Sequence, residues 1–383
     1  QMDMVRYTGQ GRVAEVLGAD WVAFDKKVRA NYKPASIRAQ LAALPEEDRD
    51  VFEGYAAGIN AWLEEIRKQP ELLPRQYLDF SFAPAMWDAF DVAMVFVGSM
   101  LNRFGDFNRE LANAQIYKGL EAQHGKEKAM ALFDQLVPRV VEGAPTTIPE
   151  GEWPCQAAAG GMEAGARQLA SLAAPGVSPE AFHRGRPFSN VVILGKGKAR
   201  GADAILMNGP QFGNYVPSYV FSIGLHGAGF DLVGNTPYGY PVILFGYNRD
   251  ITWGSTWGAG DIIDVYQVEL NPGNPLEYRY QGGWKEMEKR TETLRVKGGD
   301  PVSVDVFWTV HGPVLSVDTE NHLAFSKRRS WEGYELDTLI GWMNTCRAGN
   351  WEEWIAQAGR SALNVNMYYA DREGNIGYAF TGK

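Results

Sequence analysis

A chain of 383 residues with 45% hydrophobic and 22% charged residues has the composition of a globular protein with a full core, in two to three domains or one large composite one. A net charge of −9 without a basic stripe argues against a nucleic-acid partner. No apolar run approaches the ~20 residues of a membrane span. Two cysteines, Cys155 and Cys346, form no disulfide framework and no metal or redox spacing, so they leave the compartment open.

The first part of the chain reads as helical. Phe52, Tyr55, Ile59, Trp62, Leu63 and Ile66 recur at three and four, an amphipathic stripe that Pro70 closes. Phe90, Ala93, Met94, Val97 and Leu101 repeat the pattern, and Ala129, Leu132, Phe133 and Leu136 predict a third helix before Pro138. From Gly143 to Arg186 the composition shifts to Ala, Gly, Pro and Ser. This stretch reads as a linker, with one short helical run from Ala164 to Leu172.

Beyond it the pattern turns to strands. Val191 to Leu194 and Ala204 to Met207 predict a hairpin, as do Thr291 to Val296 and Val302 to Val310 around Lys297-Gly298-Gly299-Asp300. Lys327-Arg328-Arg329 reads as solvated surface. Leu336, Leu339, Ile340 and Met343 mark a helix, and Asn350 with Glu353 predicts the N-terminal box of another. Met367 to Ala370 and Ile376 to Phe380 form a last hairpin about Gly374. Helices followed by strands, helices and strands predict α+β layers.

The break at Arg186-Pro187-Phe188-Ser189-Asn190 carries the chemistry. A serine at a loop–strand border is commonly a turn former or cap. Cutting the chain before Ser189 would instead unite a hydroxyl nucleophile and an α-amine in one residue. Such an amine, with a reference pKa of about 7.7–8.0, serves as a base at neutral pH without histidine. His226 and His311 sit beside glycines in β-rich surroundings and read as structural. A Ser-His-Asp triad is the competing arrangement, but no Gly-x-Ser-x-Gly elbow supports it.

Ser189-Asn190 is followed in order by Gly195-Lys196, Asn208-Gly209-Pro210-Gln211-Phe212-Gly213, Gly224-Leu225-His226-Gly227-Ala228-Gly229-Phe230, Gly234-Asn235-Thr236-Pro237 and Trp253-Gly254-Ser255-Thr256. These motifs resemble the start of the β-subunit in the penicillin G acylase family of N-terminal-nucleophile hydrolases. Ser99-Met100-Leu101-Asn102-Arg103-Phe104 and Ala144-Pro145-Thr146-Thr147-Ile148 resemble its α-subunit. The resemblance covers nearly the whole chain except about 149–188. It implies a four-layer αββα fold of antiparallel sheets between helices. It also divides the chain into an α-subunit-like region 1–148, a spacer 149–188 and a β-subunit-like region 189–383, so the continuous chain resembles a zymogen-like precursor. Both termini resemble interior positions of the family's subunits, which makes the chain a fragment by this reading. A periplasmic location is implied as well.

The resemblance also implies site residues. Ser189 is the nucleophile, Gln211 orients the substrate amide and the α-amine through its backbone, and the backbone N–H of Trp257 is an oxyanion donor. A second donor, an asparagine, is implied beyond Lys383. Met100, Phe104, Phe212, Phe245, Trp342 and Val365 map onto an apolar acyl pocket suited to a phenylacetyl-like group, with Arg103 as a gate and contact for a substrate carboxylate. Each of those apolar residues taken singly reads as core. Two departures stand out: Trp257 replaces a customary alanine, and Ala259 replaces a pocket phenylalanine. Glu110, Asp261 and Asp264, with the Ile263 carbonyl, match the ligands of a structural calcium ion. The expected activity is hydrolysis of N-acyl amides such as phenylacetylated β-lactams, with no organic cofactor and a small-molecule amide as partner. Acylase action on aliphatic chains such as acyl-homoserine lactones is the second reading. The third is an uncut, non-catalytic ligand-binding form.

Overall fold

The computed structural model describes residues 1–101, 109–136, 188–211, 218–258, 260 and 262–383. The spacer-like segment and its short helical run lie outside them. Helices occupy the first part, as the periodicity predicts. The 23-residue helix Glu46–Lys68 starts after Pro45, with Glu46, Glu47 and Asp48 in its first turn and Arg67 and Lys68 in its last. Both ends therefore suit the helix dipole. It buries Phe52, Ala56, Leu63 and Ile66, whereas Trp62, counted in the predicted stripe, is exposed.

The helix Ala89–Phe96 is closed at its N-terminus by a reciprocal Asp88–Asp91 capping box. Phe90 and every residue from Val92 to Phe96 are buried. A helix that is apolar all round belongs in the middle of a protein, and this one does. Its predicted continuation to Leu101 is a π-turn, Val97–Leu101, rather than more α-helix.

Fifteen strands follow among the described residues. The first two are β1 (Phe188–Leu194) and β2 (Ile205–Gln211). Then come β3 (Val220–Gly227), β4 (Phe230–Pro237), β5 (Phe245–Asn248) and β6 (Ile251–Trp257). Next are β7 (Ile263–Asn271), β8 (Asn274–Tyr280), β9 (Gly283–Glu286) and β10 (Glu288–Leu294). They are followed by β11 (Val302–Thr309), β12 (Gly312–Asp318) and β13 (Leu323–Arg329). After the helices Glu335–Thr345 and Trp351–Ala358 come β14 (Val365–Asp371) and β15 (Ile376–Phe380).

A six-stranded antiparallel sheet has the order β15-β14-β6-β5-β4-β3. Trp253, Met367 and Tyr369 share one core cluster with residues of Glu46–Lys68, Ala89–Phe96, Glu335–Thr345 and Trp351–Ala358. The antiparallel hairpin β1-β2 lies against β6. Helical layer, sheet and hairpin thus give the α, β, β order expected of the N-terminal-nucleophile hydrolase fold.

A seven-stranded sheet, ordered β10-β11-β12-β13-β7-β8-β9, stands beside this body with its own small core of Val268, Leu270, Tyr278, Met287 and Ala324. Its two edge strands, β9 and β10, are separated in sequence by Met287 alone. Met287 is buried, and its N–H donates to the Leu276 carbonyl at 2.7 Å.

This sheet clamps the helical part, which corrects the reading of Lys327-Arg328-Arg329 as solvated. Lys327 and Arg329 are buried, and Arg328 alone faces solvent, because side chains alternate along β13. Arg329 donates to the Asn31 carbonyl at 3.1 Å and also to its side-chain oxygen. Arg290 donates to the carbonyls of Arg29 at 2.7 Å and Tyr32 at 3.0 Å.

Candidate functional site

Ser189 is the second residue of β1 and is half-buried. In the hairpin register it stands opposite Pro210, and Phe188 stands opposite Gln211. The two strands therefore hold Gln211 directly across from the peptide bond that precedes Ser189.

A side chain that the sequence reading quoted in a motif, without giving it a role, fixes this hairpin in place. Asn208 donates to the Asn190 carbonyl at 3.2 Å, across the hairpin, and accepts from the Ser255 backbone N–H of β6 at 3.0 Å. The neighbouring Gly254 makes the approach possible. A Cβ there would lie 2.5 Å from the Asn208 oxygen, closer than real Cβ contacts come.

Trp257 ends β6 opposite Val365 of β14, so the two share one face of the sheet. Its carbonyl accepts from the Asn366 side chain at 3.0 Å, and the same amide donates to Thr256 Oγ1 at 3.0 Å. Tyr378 in turn donates to the Asn366 oxygen at 2.8 Å. The end of β6 is thereby held by polar groups from β14 and β15.

Phe245, Trp342 and Val365, which come from β5, a helix and β14, belong to one buried cluster. Trp342 meets Phe96 edge-on at 6.3 Å, and Phe96 meets Tyr240 at 5.9 Å. Tyr240 accepts from Ser99 Oγ at 2.8 Å. These contacts place the π-turn at the junction between the helical part and the sheet. Met100 lies in that turn, but its side chain lies outside the described residues, as do Arg103, Phe104, Phe212 and Ala259.

The loop after β6 is held from β14's side by Asn364, another residue the sequence reading missed. Its carbonyl accepts from the Gly258 N–H at 3.1 Å, its side-chain oxygen accepts from the Gly260 N–H, and its amide donates to the Thr381 carbonyl at 3.0 Å. A Cβ on Gly258 or Gly260 would fall 2.4 to 2.6 Å from Asn364 atoms. The glycines at 258 and 260 were the available signal, but nothing in the sequence links them to a residue a hundred positions on.

Of the expected calcium ligands, Asp261 and the Glu110 side chain lie outside the described residues. Ile263 and Asp264 open β7, opposite Arg329 and Arg328; the former is buried and the latter exposed. Among the described residues no three His, Cys, Asp or Glu side chains are grouped as a metal site.

The two histidines singled out in the sequence have other contacts. His226 pairs with Asp231 at 2.7 Å on the exposed β3-β4 hairpin. His311 stacks on Tyr266 at 4.0 Å, and burial together with the Arg328 charge keeps its imidazole below the usual range. Cys346 is a free, buried thiol whose burial pushes its pKa up to about 12. Cys155 lies outside the described residues.

A family model described as penicillin amidase matches residues 1–383. The chain belongs to the penicillin amidase family. Penicillin G acylase of Escherichia coli is 42% identical over 422 residues, a match that takes in 100% of this chain and 49% of that protein. The acyl-homoserine lactone acylase QuiP of Pseudomonas aeruginosa is 28% identical over 401 residues, with 100% of this chain and 45% of the relative covered. The chain therefore spans about half the length of these relatives. A solved structure of thermostable penicillin G acylase from Alcaligenes faecalis shares 45% identity, with a TM-score of 0.44 over 51% of this chain and 33% of that one.

Proposed function

We propose that this chain is the nucleophile-bearing part of an amidohydrolase that cleaves N-acyl amides, with Ser189 acting once the Phe188–Ser189 bond is broken. The observation that carries this reading is the hairpin register. It holds Ser189 at the second position of β1, opposite Pro210 and next to the Phe188–Gln211 pair, and Asn208 ties the hairpin to the strand that ends in Trp257. The α-amine of Ser189 takes the hydroxyl proton as Oγ attacks the acyl carbon, and the Trp257 N–H receives the developing oxyanion. Such a donor typically contributes about 3–4 kcal/mol. The C–N bond then breaks, the amine leaves with the proton, and water hydrolyses the ester on Ser189.

Phe245, Trp342 and Val365, together with Met100, Phe104 and Phe212, would form the acyl pocket, with Arg103 at its entrance. Domain boundaries at 148 and 188 follow from the same reading, as does a periplasmic location. Hard oxygen donors from Glu110, Asp261, Ile263 and Asp264 suit calcium, which would tie the two parts together.

The test is intact mass and N-terminal sequencing of the full-length protein. A new terminus at Ser189 is expected, and Ser189→Ala should remove both cleavage and amide hydrolysis. Hydrolysis by a chain that is never split would overturn the mechanism. Metal analysis checks calcium, and retention of the ion by an Asp261→Asn, Asp264→Asn protein would reject that site.

The QuiP relatives and the small residues Ala259 and Val365 favour aliphatic acyl chains as a second reading. Phenylacetyl and octanoyl anilides separate the two. Ala259→Phe should shift preference towards phenylacetyl, and an unchanged ratio would remove the role given to that position.

A further inference from the structure

The peptide that follows Trp257 is gripped by β14 at both of its polar atoms. Asn366 donates to the Trp257 carbonyl at 3.0 Å, and the Gly258 N–H donates to the Asn364 carbonyl at 3.1 Å. In a trans peptide these two atoms point in opposite directions, so bonds on both leave the plane little freedom to turn. The peptide before Trp257 is anchored as well. Thr256 stands opposite Asn366 in the ladder, and its Oγ1 accepts from the same Asn366 amide at 3.0 Å. With a held plane on either side, the backbone angles of Trp257 are set, and with them the direction of its N–H.

The ladder also decides where that N–H points. A Gly258 N–H bonded to the Asn364 carbonyl makes Trp257 and Val365 a pair that exchanges no backbone hydrogen bond. The Trp257 N–H is therefore directed away from β14. That strand aims the donor without competing for it.

The grip is itself braced. The Asn366 oxygen accepts from Tyr378 of β15 at 2.8 Å. Asn364 is buried, its side-chain oxygen accepts from the Gly260 N–H, and its amide donates to the Thr381 carbonyl at 3.0 Å. Neither asparagine belongs to a motif quoted from the sequence.

We propose that Asn364 and Asn366 are positioning residues for amide hydrolysis, holding the Trp257 N–H where the oxyanion forms; this rests on the role proposed above for that N–H. A donor stabilises a developing charge best when its direction is fixed beforehand. Loosening it should slow the chemical step and spare substrate binding, which depends on apolar contacts.

Asn366→Leu keeps the size of the side chain and removes its donor. Kinetics of the full-length protein test the role, with turnover counted per chain cleaved before Ser189, on whichever of the phenylacetyl and octanoyl anilides the parent hydrolyses faster. kcat should fall about ten-fold or more while KM stays within about two-fold. The boronic acid of the same acyl chain, tetrahedral when bound to Ser189, should bind more weakly by a similar factor, and the free carboxylic acid should not. Asn364→Ala should behave in the same way. A lower melting temperature with unchanged kcat, or a rise in KM alone, marks a purely structural role and overturns the proposal. Should Asn366→Leu not fold or not be cleaved, Tyr378→Phe, an exposed change that releases only the Asn366 oxygen, should still lower kcat about three-fold, and no change there overturns it. A parent that hydrolyses neither anilide removes the role of Ser189 and this one with it. A hydrolysing parent with an indifferent Asn366→Leu removes the positioning role alone.

Discussion

Asn208 joins three strands through one amide, so its loss should be felt well beyond its own position. Removing it leaves the Ser255 N–H, in a buried stretch of β6, without an acceptor. An unsatisfied buried group of that kind costs about 1–3 kcal/mol. Asn208→Ala is therefore expected to lower the denaturant midpoint by a corresponding amount and, under the proposed mechanism, to slow chain cleavage before Ser189. Asn208→Asp, which keeps an acceptor but loses the donor to the Asn190 carbonyl, should fall between the two. Cys346 gives a second expectation at this scale. Its thiol donates to the Ile243 carbonyl at 3.3 Å and is fully enclosed, so almost no thiolate forms at neutral pH. A thiol reagent should leave it unmodified in the folded chain and label it only under denaturant; fast labelling of folded protein would contradict the packing around it.

At the scale of elements, Gly254 leaves room for Asn208 of the hairpin against the sheet. Gly254→Ala should drive β1-β2 off β6, with a loss of ordered hairpin amides in hydrogen exchange and, under the proposed function, a fall in amide hydrolysis. Restored activity on pairing it with Asn208→Ala would show that the clash is with that side chain. What the sequence made legible follows from the range of the signal. Hairpins closed by a few turn residues were readable, including β10-β11 and β14-β15, because pairing and turn lie within one window. The capping signal at Asn350 was also local: its side chain accepts from the Glu353 N–H at 2.9 Å, although the Glu353 carboxylate bonds the Gly349 N–H rather than that of Asn350. The π-turn after Phe96 was not readable, since its apolar residues continue the helical spacing. The burial of Lys327 and Arg329 was hidden for a different reason: Arg329 is held by Asn31 of the helical part, far away in sequence, and composition alone marks both residues as surface. Ser189 was singled out from a composition break, whereas Asn208 and Asn364 carry no local mark of the strands they fasten.

Across the whole molecule, the helical part and the seven-stranded sheet meet at charged groups that are not surface groups. Glu332 accepts from buried Arg329, and burial pushes its pKa up to about 7 from an ordinary 4.5. Between those values the folded chain holds a proton here that the unfolded chain has released. Stability therefore falls as pH rises from about 4.5 to about 7, and below that window the two states bind the proton alike. Glu332→Gln should abolish this component, so its stability relative to the parent should rise by on the order of 1–3 kcal/mol from pH 4.5 to pH 8. Chemical denaturation at several pH values reads this directly, and parallel profiles would remove Glu332 from the account. The single residue between β9 and β10 has a consequence for how this half of the protein forms. Five of the six strand pairings in the seven-stranded sheet are between neighbours in sequence; only β13 with β7 is distant, as in Leu323 opposite Glu269. The sheet is thus one continuous meander whose last strand returns to its first, with Met287 as the bend that spares it any second long connection. Zipping the five local pairs costs little loop entropy, so the closing of β13 onto β7 sets the folding rate. Weakening that one pairing should slow folding, while weakening the hairpins should mainly hasten unfolding.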